Sequence, residues 1–106
     1  MITFDEFSKL DLRVGKVLAV EPHPNAEKLY LLTVDIGEKT ISLVAGIKPF
    51  YTAEELAGKS IVVLVNLELK NIRGVASEGM LLAAQSKDDV SVIVCDKKVE
   101  PGSRIK

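Results

Sequence analysis

Between Asn66 and Met80 the chain gathers side chains that can hold a polyanion: Asn66, Lys70, Asn71, Arg73, Ser77 and Met80, with Gly74 and Gly79 among them. Lys70 and Arg73 can neutralise phosphates. Asn66 can meet a base edge or a phosphate oxygen, and the Ser77 hydroxyl can donate to phosphate or to a 2′-OH. Gly79 lets a ligand approach the backbone closely, and Met80 can pack against a base. The same composition also fits a solvated hairpin loop with Met80 in the core. Composition alone weighs the two readings evenly.

Catalytic chemistry has little to work with. His23 is the one histidine and lies between Pro22 and Pro24. In that setting it reads as a turn residue, with no second His or Cys near it in sequence. Glu54 and Glu55 open a helical segment, where carboxylates favour the helix dipole. Cys95, in a Val-rich stretch, reads as core. No Gly-rich phosphate loop of the G-x-x-x-x-G-K type is present. Nothing supplies a nucleophile with its base or a set of metal ligands, so neither a catalyst, nor a metal, nor a cofactor is expected.

Bulk properties narrow the class further. The 106 residues fit one domain, and 47% of them are hydrophobic, enough for a core. Apolar runs such as Ile61 to Val65 are far too short to span a membrane, and no basic stretch with an apolar core marks a secretory signal. One cysteine excludes an internal disulfide and fits a reducing cytoplasm. Net charge is -1, from 14 Lys plus Arg against 15 Asp plus Glu. Nucleic acid could therefore be bound only through a local patch, with the acids placed elsewhere. Aromatics are scarce, with three Phe, two Tyr and no Trp. Successive bases would have few platforms to stack on, which leaves shape and backbone contacts.

The elements that must position these residues follow from pattern. Thr3 and Glu6 form a capping box for a short helix over Phe4 to Leu10, with Ile2 and Phe7 spaced as a hydrophobic staple. Leu12 to Glu21 reads as a long strand, bent or bulged at Gly15. Glu21 to Asn25 is a loop. Lys28 to Ile36 alternates as a second strand, and Gly37-Glu38-Lys39 turns it into a third, Thr40 to Ala45. Thr52 and Glu55 repeat the capping box for a helix ending at Gly58, with Tyr51 and Leu56 as its staple. Ile61 to Asn66 is a buried strand, Glu68 to Glu78 a polar loop, and Met80 to Ala84 a tight strand. Val90, Val92 and Val94 alternate as a last strand, and Pro101-Gly102 is a turn.

Three strands, a helix and two strands is the OB order. The expected architecture is all-β: a five-stranded Greek-key OB-fold barrel with a helix between strands 3 and 4, a short N-terminal helix and a C-terminal strand extension. Such barrels bind oligonucleotides or oligosaccharides, and the loop between strands four and five is one of their ligand loops.

Four ordered blocks carry a resemblance. Asp11-Leu12-Arg13-Val14-Gly15-Lys16-Val17, His23 to Tyr30, Val44-Ala45-Gly46-Ile47 and Arg73 to Ala84 resemble the tRNA-binding domain family across nearly the whole chain. That family includes the C-terminal appendix of methionyl-tRNA synthetases and its free-standing equivalents, and the match is nearest to those. The resemblance implies an OB barrel that grips tRNA by shape and catalyses nothing by itself, serving as an accessory to a methionyl-tRNA synthetase chain. It implies a homodimer in the short members. Matching positions give Lys28, Asn66, Lys70, Arg73, Ser77 and Met80 as the tRNA surface, with Lys28 at the start of the second strand. The chain departs from the family at Glu68, Leu69 and Asn71, where a basic residue, a proline and a second cation are common. An export-related chaperone branch that binds polypeptides is the alternative. It shares the Arg13-Val14-Gly15 region but lacks the Gly79 to Ala84 ending that this chain keeps. The start at Met1 points to a free-standing protein, with a piece of a longer synthetase as the open alternative.

Overall fold

Both capping boxes form. In the computed structural model, which describes all 106 residues, the Glu6 backbone N–H donates to the Thr3 hydroxyl at 3.1 Å, and the Thr3 N–H donates to the Glu6 carboxylate at 2.9 Å. Thr52 and Glu55 repeat this at 3.2 and 2.8 Å. The hydrogen bonds from Thr52 hold the Glu55 carboxyl below the usual carboxylate range. The helices are shorter than the pattern suggests: α1 spans Phe4–Ser8 and α2 spans Ala53–Leu56. Leu56 is fully buried in the core, and Tyr51 packs against that core. Ile2 stays exposed, so the first staple buries little. No helix is long and apolar enough to cross a membrane.

The body is a curled antiparallel sheet of five strands in the order β3-β2-β1-β4-β7. Here β1 is Leu12–Pro22, β2 Tyr30–Asp35, β3 Thr40–Ala45, β4 Ser60–Leu64 and β7 Met80–Leu81. Alternation puts Leu32, Val34, Leu43, Ile61 and Val63 inside, together with Val17. Gly15 is where strands crowd. A Cβ there would lie 2.5 Å from Val34 Cγ1 and 3.0 Å from Val63 Cγ2. The bulge expected at Gly15 lies further on: the β1–β2 register shifts between Val17 and Ala19. Gly15 thus serves close packing, and the irregularity bends the strand after it.

β7, two residues long, is too short to close the barrel on β3 by a full ladder. A backbone hydrogen bond and two side chains close it instead. The Glu78 N–H donates to the Ser42 carbonyl at 2.8 Å, and the Ser42 N–H donates to the Glu78 carboxylate at 2.7 Å. The Val44 N–H donates to the Ser77 hydroxyl at 3.0 Å, which in turn donates to the Gly79 carbonyl at 2.9 Å. The architecture is the expected OB barrel, with this seam as its last side.

Outside the barrel, Leu12, Val62 and Leu64 form a second small core under Phe7, Leu82 and Ile105. The C-terminal segment lies along the part of β1 that β2 leaves free. The Ser103 carbonyl accepts from Val14 N–H at 2.8 Å, and the Ile105 N–H donates to the Leu12 carbonyl at 2.9 Å.

Four expectations need correction. The polar loop Glu68 to Glu78 contains a hairpin, β5 (Lys70–Ile72) paired with β6 (Val75–Ser77). Met80 to Ala84 is two strands: after β7 the chain joins β8 (Ala83–Gln85), which pairs with β9 (Val90–Val92). Val94 falls outside β9, bridging Ile61 alone, and Cys95 is half-buried rather than core.

Candidate nucleic-acid interface

The β5–β6 hairpin forms an arm whose tip is Arg73-Gly74. Both tip residues have positive φ, 55° and 93°, as a two-residue type I′ hairpin turn requires. Gly74 adopts this without penalty. Arg73 is the unusual occupant, and Asn71 steadies the turn by accepting the Gly74 N–H at 2.9 Å.

The arm tip rests on the loop that joins β1 to β2. That loop is closed at its neck by the His23 N–H donating to the Leu29 carbonyl at 3.0 Å. The His23 ring is 5% exposed. Its Nδ1 accepts the Asn25 N–H at 2.9 Å, and its Nε2 lies 3.0 Å from the Ile72 carbonyl on the arm. Asn25 and Arg73 then bond reciprocally. The Asn25 amide donates to the Arg73 carbonyl at 3.2 Å, and the Arg73 guanidinium donates to the Asn25 carbonyl at 3.1 Å. Between loop and arm lies a shallow cleft of about 460 Å³, lined by Asn25 to Leu29 and Arg73.

The six expected site residues separate into two groups. Lys28 and Arg73 are exposed and share the cleft. Lys28 lies in the loop, two residues before β2 begins, rather than in the strand. Lys70 opens β5 on the same arm, exposed and without an acidic partner, the chain's one ion pair being Arg13 with Asp11. Met80 is 46% exposed on β7, so the reading that buries it in the core fails.

Ser77 and Asn66 are committed elsewhere. Ser77 is 4% exposed and its hydroxyl belongs to the barrel seam, so it cannot donate to a phosphate or a 2′-OH. The Asn66 amide accepts the Asp11 N–H at 2.9 Å and donates to the Lys9 carbonyl at 2.7 Å. It splices the end of β4 to the link between α1 and β1, yet the residue is exposed, and one amide N–H and one oxygen lone pair stay uncommitted. The acids are not all remote. Glu27 lines the cleft, and the Glu78 carboxylate sits in the seam next to the arm.

No stacking platform appears at this surface. Tyr30 is buried, and its hydroxyl donates to the Tyr51 carbonyl at 2.7 Å. Tyr51 in turn accepts the Val92 N–H at 3.0 Å, tying β9 to the barrel. The surface therefore offers positive charge and backbone contact rather than aromatic faces, which suits a phosphate backbone of defined shape.

A family model described as "Putative tRNA binding domain" matches residues 12–104. The chain belongs to the tRNA-binding domain family. Its curated relatives are far longer. The methionine–tRNA ligase of Thermococcus kodakarensis is 51% identical over 105 residues, covering 99% of this chain and 14% of that protein. The ligase of Methanosarcina acetivorans is 52% identical over 110 residues, again 99% of this chain and 15% of that protein. The chain thus spans about a seventh of the length of these relatives. Among solved structures, a MetRS-related protein from Pyrococcus horikoshii superposes with a TM-score of 0.94 at 36% identity, covering 100% of this chain and 98% of that one. A CsaA chaperone from Bacillus anthracis superposes with a TM-score of 0.93 at 31% identity, covering 100% and 99%. The OB barrel, both outer extensions included, is therefore shared with solved structures of differently named proteins.

Proposed function

We propose that this chain binds tRNA by shape, without catalysing a reaction, as an accessory module to a methionine–tRNA ligase. The observation that carries the reading is that Lys28 and Arg73 line one cleft, with Lys70 exposed on the same arm and Met80 exposed on β7. Family membership and relatives at about half identity support tRNA as the ligand. Lys28, Lys70 and Arg73 neutralise phosphates, and Met80 supplies an apolar contact. Ser77 holds the framework, and Asn66 both holds it and keeps an exposed amide edge toward RNA.

Three cations make a small patch, so one protomer binds modestly. Pairing two protomers would double the surface and raise avidity. A homodimer is supported by the N-terminal segment, where Ile2 and Leu10 are exposed and Phe4 is 80% exposed. Large apolar side chains gathered on one segment favour association. Light scattering at micromolar concentration should give twice the 11.5 kDa chain mass; a monomer mass would remove the dimer from the account.

The second reading is a polypeptide-binding chaperone. It is favoured by the net charge of -1 and by the likeness to structures named as CsaA chaperones. A gel shift with bulk tRNA at low salt separates the two. Retardation supports the tRNA reading, and its absence promotes the chaperone.

A further inference from the structure

One imidazole joins the two loops that build the cleft. A backbone N–H can only donate, so Nδ1 of His23 must be the bare acceptor facing Asn25. Its proton therefore sits on Nε2, which donates to the Ile72 carbonyl. A single neutral tautomer satisfies both bonds. The ring is almost wholly buried, so water does not readily replace it, and losing it would strip a partner from a carbonyl on the arm.

The arm has little else to hold its tip. Each of its strands is three residues long, and an isolated two-stranded hairpin is marginal in water. Ser77, at the base of β6, is the arm's one buried residue, and Ile72 and Val75 are half-buried; Lys70, Asn71, Arg73, Gly74 and Ala76 are exposed. The base is fixed by the barrel seam. The tip is fixed by His23 and by the reciprocal Asn25–Arg73 bonds.

Resting on the tRNA reading above, we propose that His23 is a positioning residue for RNA recognition. By docking the arm tip on the β1–β2 loop, it fixes the spacing of Arg73 and Lys28 across their cleft. That fixed spacing, rather than the number of cations, confers preference for a folded tRNA backbone over an unstructured strand. Cations on a loose arm neutralise the phosphates of any chain. Cations held at set positions fit only a backbone of matching shape, and they bind it without an ordering cost.

Two conservative substitutions separate the halves of the ring. In His23→Gln the amide NH₂ can occupy the Nε2 position and still reach Ile72. In His23→Asn the amide oxygen can occupy the Nδ1 position and still accept from Asn25, but nothing reaches the arm. The test uses the full chain and two probes, folded bulk tRNA and polyuridylate of matched length, with dissociation constants measured at one salt concentration. Amide hydrogen exchange at Ile72 to Val75 reports arm docking. In H23N the preference for tRNA should fall about tenfold, with arm exchange accelerated and barrel exchange unchanged. In H23Q both should stay within about twofold of the parent. Should H23N fold poorly, Asn25→Ala keeps the ring and removes one of the two Arg73 ties. It should move both readouts in the same direction by less.

Faster arm exchange with unchanged preference would overturn the proposal and leave tRNA binding standing. Unchanged exchange in both H23N and N25A would overturn it by showing that the tip is held otherwise. Failure of the parent chain to bind either RNA would refute the tRNA reading, and the proposal with it, before any variant is made.

Discussion

The barrel and the β5–β6 arm are built from different interactions. The barrel is held by apolar side chains that many neighbours enclose: Leu32, Val34, Leu43, Ile61 and Val63 are each 1% exposed or less. The arm tip is held by a few directional bonds from His23, Asn25 and Arg73. Burial is cumulative and tolerant, so the barrel survives sequence drift as long as pattern and volume persist. Hydrogen bonds from one buried ring are not tolerant, because each needs one donor and one acceptor in place. The surface chemistry assigned to RNA is thus carried by the part of the molecule with the thinnest support.

The largest effect should come from the barrel. Leu32→Ala removes a nearly fully buried side chain and should cost about 2–5 kcal/mol in stability. Urea unfolding would measure it. Arm exchange should change only as much as global unfolding demands, and a selective loosening of the arm would blur the division drawn above.

Next is the seam between the two regions. Ser77→Ala leaves the Val44 N–H and the Gly79 carbonyl without their partner, at a cost of about 1–3 kcal/mol. With the protein still folded, tRNA affinity should stay within about twofold. A large loss of affinity at unchanged stability would return Ser77 to the RNA surface.

The smallest effect lies just before β1, at Asp11. The Arg13 guanidinium, hydrogen-bonded to Asp11, holds the Asp11 carboxyl below the usual carboxylate range. A depressed folded value means the stabilisation is fully present above about pH 4, the ordinary range, and is lost as pH falls through the lower folded value. Relative to Asp11→Asn, the parent should therefore lose stability on acidification and not on alkalinisation. Thermal melts across the acid range check this. Both side chains are partly solvated, so the difference should be small.

Much of the barrel was legible in the residues. Two capping boxes placed both helix starts, and strict alternation placed β2, β3 and the inward face of each. The β5–β6 hairpin was not legible, because three-residue strands carry too little alternation and Arg73-Gly74 lacks the usual Asn-Gly or Asp-Gly turn pair. Ser77 and Asn66 were read as ligand contacts since their types suit RNA. Their partners at Val44 and Asp11 lie 33 and 55 positions away, beyond the reach of local pattern. His23 was read as a turn residue. It is one, but the contact that gives it weight lies 49 positions away at Ile72. Nothing in the local spacing of His23 or Ile72 signals that pairing.

The central claim is that the arm and its cleft carry the contact with tRNA, and its most direct test is salt dependence. With Lys28, Lys70 and Arg73 each neutralising about one phosphate, log affinity against log salt should run at roughly -2 to -3. Lys70→Ala combined with Arg73→Ala should weaken binding at low salt and flatten that slope by about 1.5 to 2, with the melting temperature held within a few degrees. An unchanged slope and affinity in the double variant would contradict the account and move the RNA surface elsewhere on the barrel.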